Sequence, residues 1–132
     1  MKISVDTNVL ARAVLQDDPA QCRAARAILR QASLVAIALP SLCELVWILR
    51  QGAKLPKEDV AQAIRALLNA GNVVTNRLAA EAGLAVLEAG GDFADGVMAH
   101  EGAWLGGETF VSFDKKAVTL LTRQGMAAQL LA

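Results

Sequence analysis

Short apolar runs and 3.6-residue apolar stripes alternate along this chain, and the alternation predicts its elements. Ile3 to Val5 and Thr109 to Phe113 are short runs bounded by polar residues, which predicts buried strands. Residues 33–39 (SLVAIAL) predict a second strand, Val73 and Val74 a short one, and Met126 to Leu131 a last one. Between them, Pro19 opens a stripe of Ala24, Ala25, Ile28 and Leu29 that ends near Gln31. PSLCELVWILRQG places Leu42, Leu45, Val46 and Leu49 on one face before Gly52 stops it. Leu55 to Ala70 follows, with Pro56 in its first turn, Glu58 and Asp59 at its positive end and Gly71 after it. Arg77 to Ala89 halts at Gly90-Gly91, Ala94 to Leu105 at Gly106-Gly107, and Lys115 to Arg123 makes a short helix. Strands alternating with helices predict right-handed crossovers and an α/β fold, a parallel sheet with helices on both faces.

Composition narrows the class. With 132 residues, 55% of them hydrophobic, the chain buries roughly two-thirds of its unfolded surface, enough for one core, so residues 1–132 are expected to form a single domain. Thirteen basic and thirteen acidic residues give a formal charge of zero, so no global field draws in nucleic acid or an anionic membrane. Cys22 and Cys43 lack metal-site spacing and read as buried thiols. A strand at the start and no apolar span of membrane length predict a cytoplasmic protein with no membrane partner.

The candidate chemistry lies in four acids: Asp6, Glu44, Asp95 and Asp114. Asp6 and Asp114 directly follow predicted strands, and ligands of parallel α/β sheets bind beyond the strands' carboxyl ends. Glu44 and Asp95 fall near helix starts, from which a first-turn side chain leans toward the same crevice. Each has a competing structural task. Thr7 and Asn8 form local turns around Asp6. Ser41-x-x-Glu44 fits a capping box, Asp92 fits the N-cap of the helix carrying Asp95, and Asp114 fits the cap of the helix at Lys115. For Asp92 and Asp95, the cap role suits Asp92 and leaves Asp95 free to point away. Taken together, the acids need a cation or protons, because two carboxylates about 4 Å apart repel by roughly 4 kcal/mol at an effective dielectric of 20. An all-oxygen donor set favours Mg2+ or Mn2+ over zinc, and such ions share phosphate oxygens with their substrates.

DTNVL after the first strand, a glutamate on the helix after the second, FADGVMA, and a late FVSFDKKA together resemble the PIN-domain ribonucleases, most closely the short VapC-type toxins of bacterial toxin–antitoxin pairs. The resemblance spans essentially the whole chain. It implies a PIN-like three-layer fold and a metal-dependent endoribonuclease whose Mg2+- or Mn2+-binding acids are Asp6, Glu44, Asp95 and Asp114. Thr7, Asn8 and Ser112 match the small polar positions beside those acids, where they orient carboxylates and water. The implied reaction is in-line hydrolysis of an RNA phosphodiester. Implied partners are an RNA substrate, a cognate antitoxin protein and a second copy of the chain in a homodimer.

Lys115 and Lys116 beside Asp114, and Arg12, are candidate phosphate contacts, as is the stripe Arg23, Arg26 and Arg30, although solvated helix faces look the same. His100, the only histidine, reads as a surface or capping residue, and Trp47 and Trp104 as core or dimer contacts. Two other function classes compete with the nuclease. One is a magnesium-dependent phosphoacceptor or phosphatase domain, against which Asp6-Thr7-Asn8 lacks a second carboxylate. The other is a non-catalytic partner-binding module whose acids only cap helices.

Overall fold

A computed structural model describes residues 1–132 and resolves them into two compact units, Met1–Arg77 and Leu78–Ala132. In the first unit, strands β1 (Lys2–Ser4), β2 (Leu34–Ala36) and β3 (Val73–Val74) lie parallel in that order. Their register sets Ile3 opposite Val35 and Val35 opposite Val73, so the central strand keeps Val35 fully buried. Asn72 holds β3 in place by donating from Nδ2 to the carbonyls of Leu29 and Ala32 at 2.7 and 3.0 Å.

Helices α1 (Thr7–Leu15) and α2 (Pro19–Gln31) connect β1 to β2. Helix α3 (Leu39–Trp47) continues into one wide turn at Ile48–Gly52, and α4 (Lys57–Asn69) leads to β3. The wide turn is a π-helical segment, closed by a bond from the Ala53 amide to the Ile48 carbonyl at 2.9 Å. Leu10, Leu42, Leu45, Leu49, Val60 and Ile64 form the centre of this unit, each with no exposed surface. The stripe read from the sequence of α3 is therefore its core face.

Helix α1 is the element that the apolar pattern left unassigned. Thr7 and Asn8 do not make an isolated turn. They open a helix capped by Asp6, whose carboxylate accepts from the Val9 amide at 3.1 Å, and Leu10, Ala11 and Ala13 bury its inner face. An aspartate just before an apolar stripe is a helix-start signal, and that signal was present in the sequence.

The second unit contains α5 (Arg77–Glu88, whose first residue belongs to the first unit), α6 (Phe93–Trp104), β4 (Phe110–Ser112), α7 (Lys115–Arg123) and β5 (Ala128–Leu130). Strands β4 and β5 are parallel, with Val111 opposite Gln129. Val86, Ala99, Leu120 and Leu121 form its core, with Phe110, Met126 and Ala128 packed against them. Helices α5 and α6 approach closely because glycines face each other's neighbours. A Cβ on Gly83 would lie 2.8 Å from the Phe93 ring, and one on Gly96 would strike the Ala82 carbonyl oxygen and come within 2.8 Å of the Gly83 Cα. Gly96, a poor helix former, thus sits where backbone meets backbone.

Seven α-helices with parallel strands make a mixed α/β fold, as the sequence predicts, and no helix is long and apolar enough to cross a membrane. Trp47 and Trp104 are not core residues, being 65% and 75% exposed. Cys22 is buried, whereas Cys43 is only half-buried.

Candidate functional site

Each unit carries two of the four acids. In the first, the end of β1 delivers Asp6 to the N-terminus of α1, where it caps the helix while remaining exposed. The next residue, Thr7, is buried, and its Oγ1 donates to Glu44 Oε2 at 3.2 Å. Helix α1 thereby orients the α3 carboxylate through the residue adjacent to Asp6. This replaces the capping box read from Ser41 and Glu44. Helix α3 begins at Leu39 with Ala38 as its cap residue, so Ser41 lies inside the first turn and Glu44 is too far along to reach back. Asn8 is exposed and, with Asp6, Val9, Arg12, Ala24 and Ile28, lines a groove of about 370 Å³ between α1 and α2. Arg12 is engaged by Asp17, both of whose oxygens accept from Nη1 at 2.9 Å. Arg26 Nε donates to the Ala13 carbonyl at 2.9 Å. Asp17 had no place among the candidate residues, because its pairing with Arg12 follows from how the chain turns after α1.

In the second unit, Asp92 caps α6 by accepting from the Ala94 amide at 3.1 Å, which leaves Asp95, in the first turn, uncommitted, the division of roles expected from the sequence. The end of β4 delivers Asp114 to the N-terminus of α7, where one oxygen accepts from the amides of Lys116 and Ala117 at 2.9 and 3.2 Å. Ser112 Oγ accepts from the Asp114 amide at 2.9 Å, fixing the backbone that carries this carboxylate. The Asp95 carboxyl is pushed above its ordinary value of 3.8, first by burial and then by the charges of Asp92 and Asp114. Asp95 and Asp114 therefore share one electrostatic environment, and a cation there would relieve both the desolvation and the repulsion. Neither unit by itself gathers three or more His, Cys, Asp or Glu side chains into a ready-made metal-holding group. The donors offered by the two pairs are carboxylate oxygens, the chemistry of a hard divalent ion.

His100 caps no helix and is only partly at the surface. It is half-buried on α6, with Nε2 shielded from solvent and without a hydrogen-bond partner.

Parallel strands that deliver aspartates to helix N-termini, as β1 does Asp6 and β4 does Asp114, define an α/β domain with acids beyond the carboxyl ends of its strands. The chain belongs to the PIN-domain family, whose pattern matches residues 3–119, a span that includes all four acids. PIN domains are nucleases as a class, so this is a nuclease-type fold. No curated protein matches the chain significantly.

Proposed function

We propose that this protein is a divalent-metal-dependent endoribonuclease and the toxin of a toxin–antitoxin pair, acting on RNA in the cytoplasm and restrained by a cognate antitoxin protein. The observation that carries the nuclease reading is the PIN-family match over residues 3–119, with Asp6 and Asp114 at strand exits inside it. The order of its motifs, DTNVL, FADGVMA and FVSFDKKA, supports the toxin assignment and, through that resemblance, a homodimeric state.

In this reading Asp6, Glu44, Asp95 and Asp114 hold Mg2+ or Mn2+. The bound ion supplies Lewis acidity toward water and neutralises charge on the phosphoryl oxygens. Water adds to phosphorus opposite the departing ribose oxygen, which leaves with a proton, so that one phosphodiester and one water give a phosphomonoester and a hydroxyl. The chain's own contributions are positional. Thr7 fixes Glu44, Ser112 fixes Asp114, and the helix caps hold Asp6 and Asp114 in single orientations. Burial and the neighbouring carboxylates raise the proton affinity of Asp95, and a bound ion would relieve both.

One specific observation favours a second reading. Asp6, Asp92 and Asp114 all make helix-cap bonds, as they would in a non-catalytic module. Incubating purified, antitoxin-free protein with total cellular RNA and Mn2+ or Mg2+ separates the two, with chelator and Asp6→Asn protein as controls. Asparagine caps helices as well as aspartate does. Cutting that requires both the ion and Asp6 is the expected result. A folded protein that binds no Mn2+ and cuts nothing would leave only the capping role.

A further inference from the structure

Charge is unevenly divided between the two units. The first carries ten basic and six acidic residues, a net of +4, and the second three basic and seven acidic, a net of −4. All three cations of the second unit, Lys115, Lys116 and Arg123, line a single groove of about 490 Å³ along α7, with Thr119 between them and Ala89 and Leu120 completing its wall. None of the three is in an ion pair, although that unit holds more than twice as many acids as bases. Thr119 Oγ1 donates to the Lys115 carbonyl at 2.8 Å, so the groove's free donors are the three cationic heads. The groove begins at the residue that follows Asp114.

Unpaired cations concentrated on one face of an otherwise acidic unit keep their charge available to a ligand rather than to the fold. Lys115, Thr119 and Arg123 repeat at four-residue intervals, which puts them on one face of the helix. From Lys115 to Arg123 the helix rises by roughly 12 Å, about three steps of a stacked strand at about 3.4 Å per nucleotide. A row of that length with an alanine and leucine wall suits a uniformly charged backbone better than an acidic peptide, whose binding would call for pockets for individual side chains. We propose that the α7 groove is a phosphate-backbone subsite that holds single-stranded RNA flanking the scissile bond, with Lys115, Lys116 and Arg123 as its contacts. This rests on the nuclease reading for the identity of the ligand, and it adds Arg123 and a direction, away from Asp114 along α7.

The test is the binding of a fluorescein-labelled 12-nucleotide oligouridylate to the full chain in chelator, where no metal-dependent cutting occurs, across a sodium chloride series. The variants are Lys115→Gln/Lys116→Gln/Arg123→Gln and a charge-matched control on the first unit, Lys2→Gln/Lys54→Gln/Arg65→Gln, three exposed cations outside the candidate phosphate contacts. Three phosphate contacts on a single strand contribute about 2 to the slope of log K against log salt, and the groove variant should lose that slope while the control keeps it. Equal slopes in parent and groove variant, equal losses in both variants, or no binding by the parent would overturn the subsite. So would equally tight binding of an oligoglutamate peptide, which would assign the groove to an acidic protein segment. Cutting by the parent alongside an unchanged slope in the groove variant would sink the groove and leave the nuclease standing. Slope loss without any Mn2+-dependent cutting would do the reverse.

Discussion

Thr7 Oγ1 donates to Glu44 Oε2 across 37 residues of sequence, so the first residue of α1 sets the direction of a carboxylate on α3. The hydroxyl is buried and the carboxylate exposed, which makes the bond one-sided in its consequences. Thr7→Val keeps the shape and removes the donor, while Glu44 remains able to turn to water. Stability should fall by only about 0.5–1.5 kcal/mol, read from urea unfolding. If Glu44 holds the ion, Mn2+ affinity by calorimetry should fall by roughly 10- to 100-fold, and Thr7→Ser should recover most of it. An unchanged affinity in Thr7→Val would remove Thr7 from the site.

Asp114 has two separable tasks, and two substitutions divide them. Asp114→Ala deletes a cap that accepts from two amides and should cost about 1 kcal/mol of stability. Asp114→Asn keeps the cap and should unfold within about 0.5 kcal/mol of the parent, yet lose Mn2+ binding and RNA cutting. A catalytically intact Asp114→Asn would reduce this residue to its structural role.

Asp95 gives the metal-free protein a defined pH response. Its folded carboxyl holds a proton more tightly than the ordinary 3.8, so the folded state binds more protons than the unfolded state between 3.8 and the raised value. The contribution of this group is therefore fully present below 3.8 and is lost as pH rises through the raised value. Asp95→Asn should flatten that part of the profile and be the more stable of the two proteins at pH 7 in chelator. Identical pH slopes for parent and variant in urea titrations would contradict the assignment.

Gly96 and Gly102 occupy the same helix and should respond oppositely to alanine. At Gly96 the new methyl meets the backbone of Ala82 and Gly83, which cannot swing aside, so Gly96→Ala should destabilise by about 1–3 kcal/mol despite better helix propensity. At Gly102 nothing lies within 4 Å, and Gly102→Ala should stabilise by up to about 1 kcal/mol. Thermal unfolding of the two variants decides the matter, and a stabilised Gly96→Ala would refute the close approach of α5 and α6.

The sequence by itself determined the order and type of nearly every element, because apolar period and helix-stop glycines act within a few residues. The Lys115–Arg123 and Val73–Val74 boundaries match residue for residue, and Pro19 and Gln31 bound α2 as expected. It also determined that Asp92 would cap α6 and leave Asp95 uncommitted, since an N-cap bond reaches only two or three residues ahead. Helix α1 was legible but masked, its start signal residing in the same Asp6 that drew attention as a ligand. Tertiary structure alone decided the partner of Glu44, the contact that requires glycine at position 96, the pairing of Arg12 with Asp17, and the exposure of both tryptophans. The Arg12–Asp17 pair, five residues apart, depends on how the chain turns after α1, and the others on which face of one element meets another, properties that no local apolar period carries.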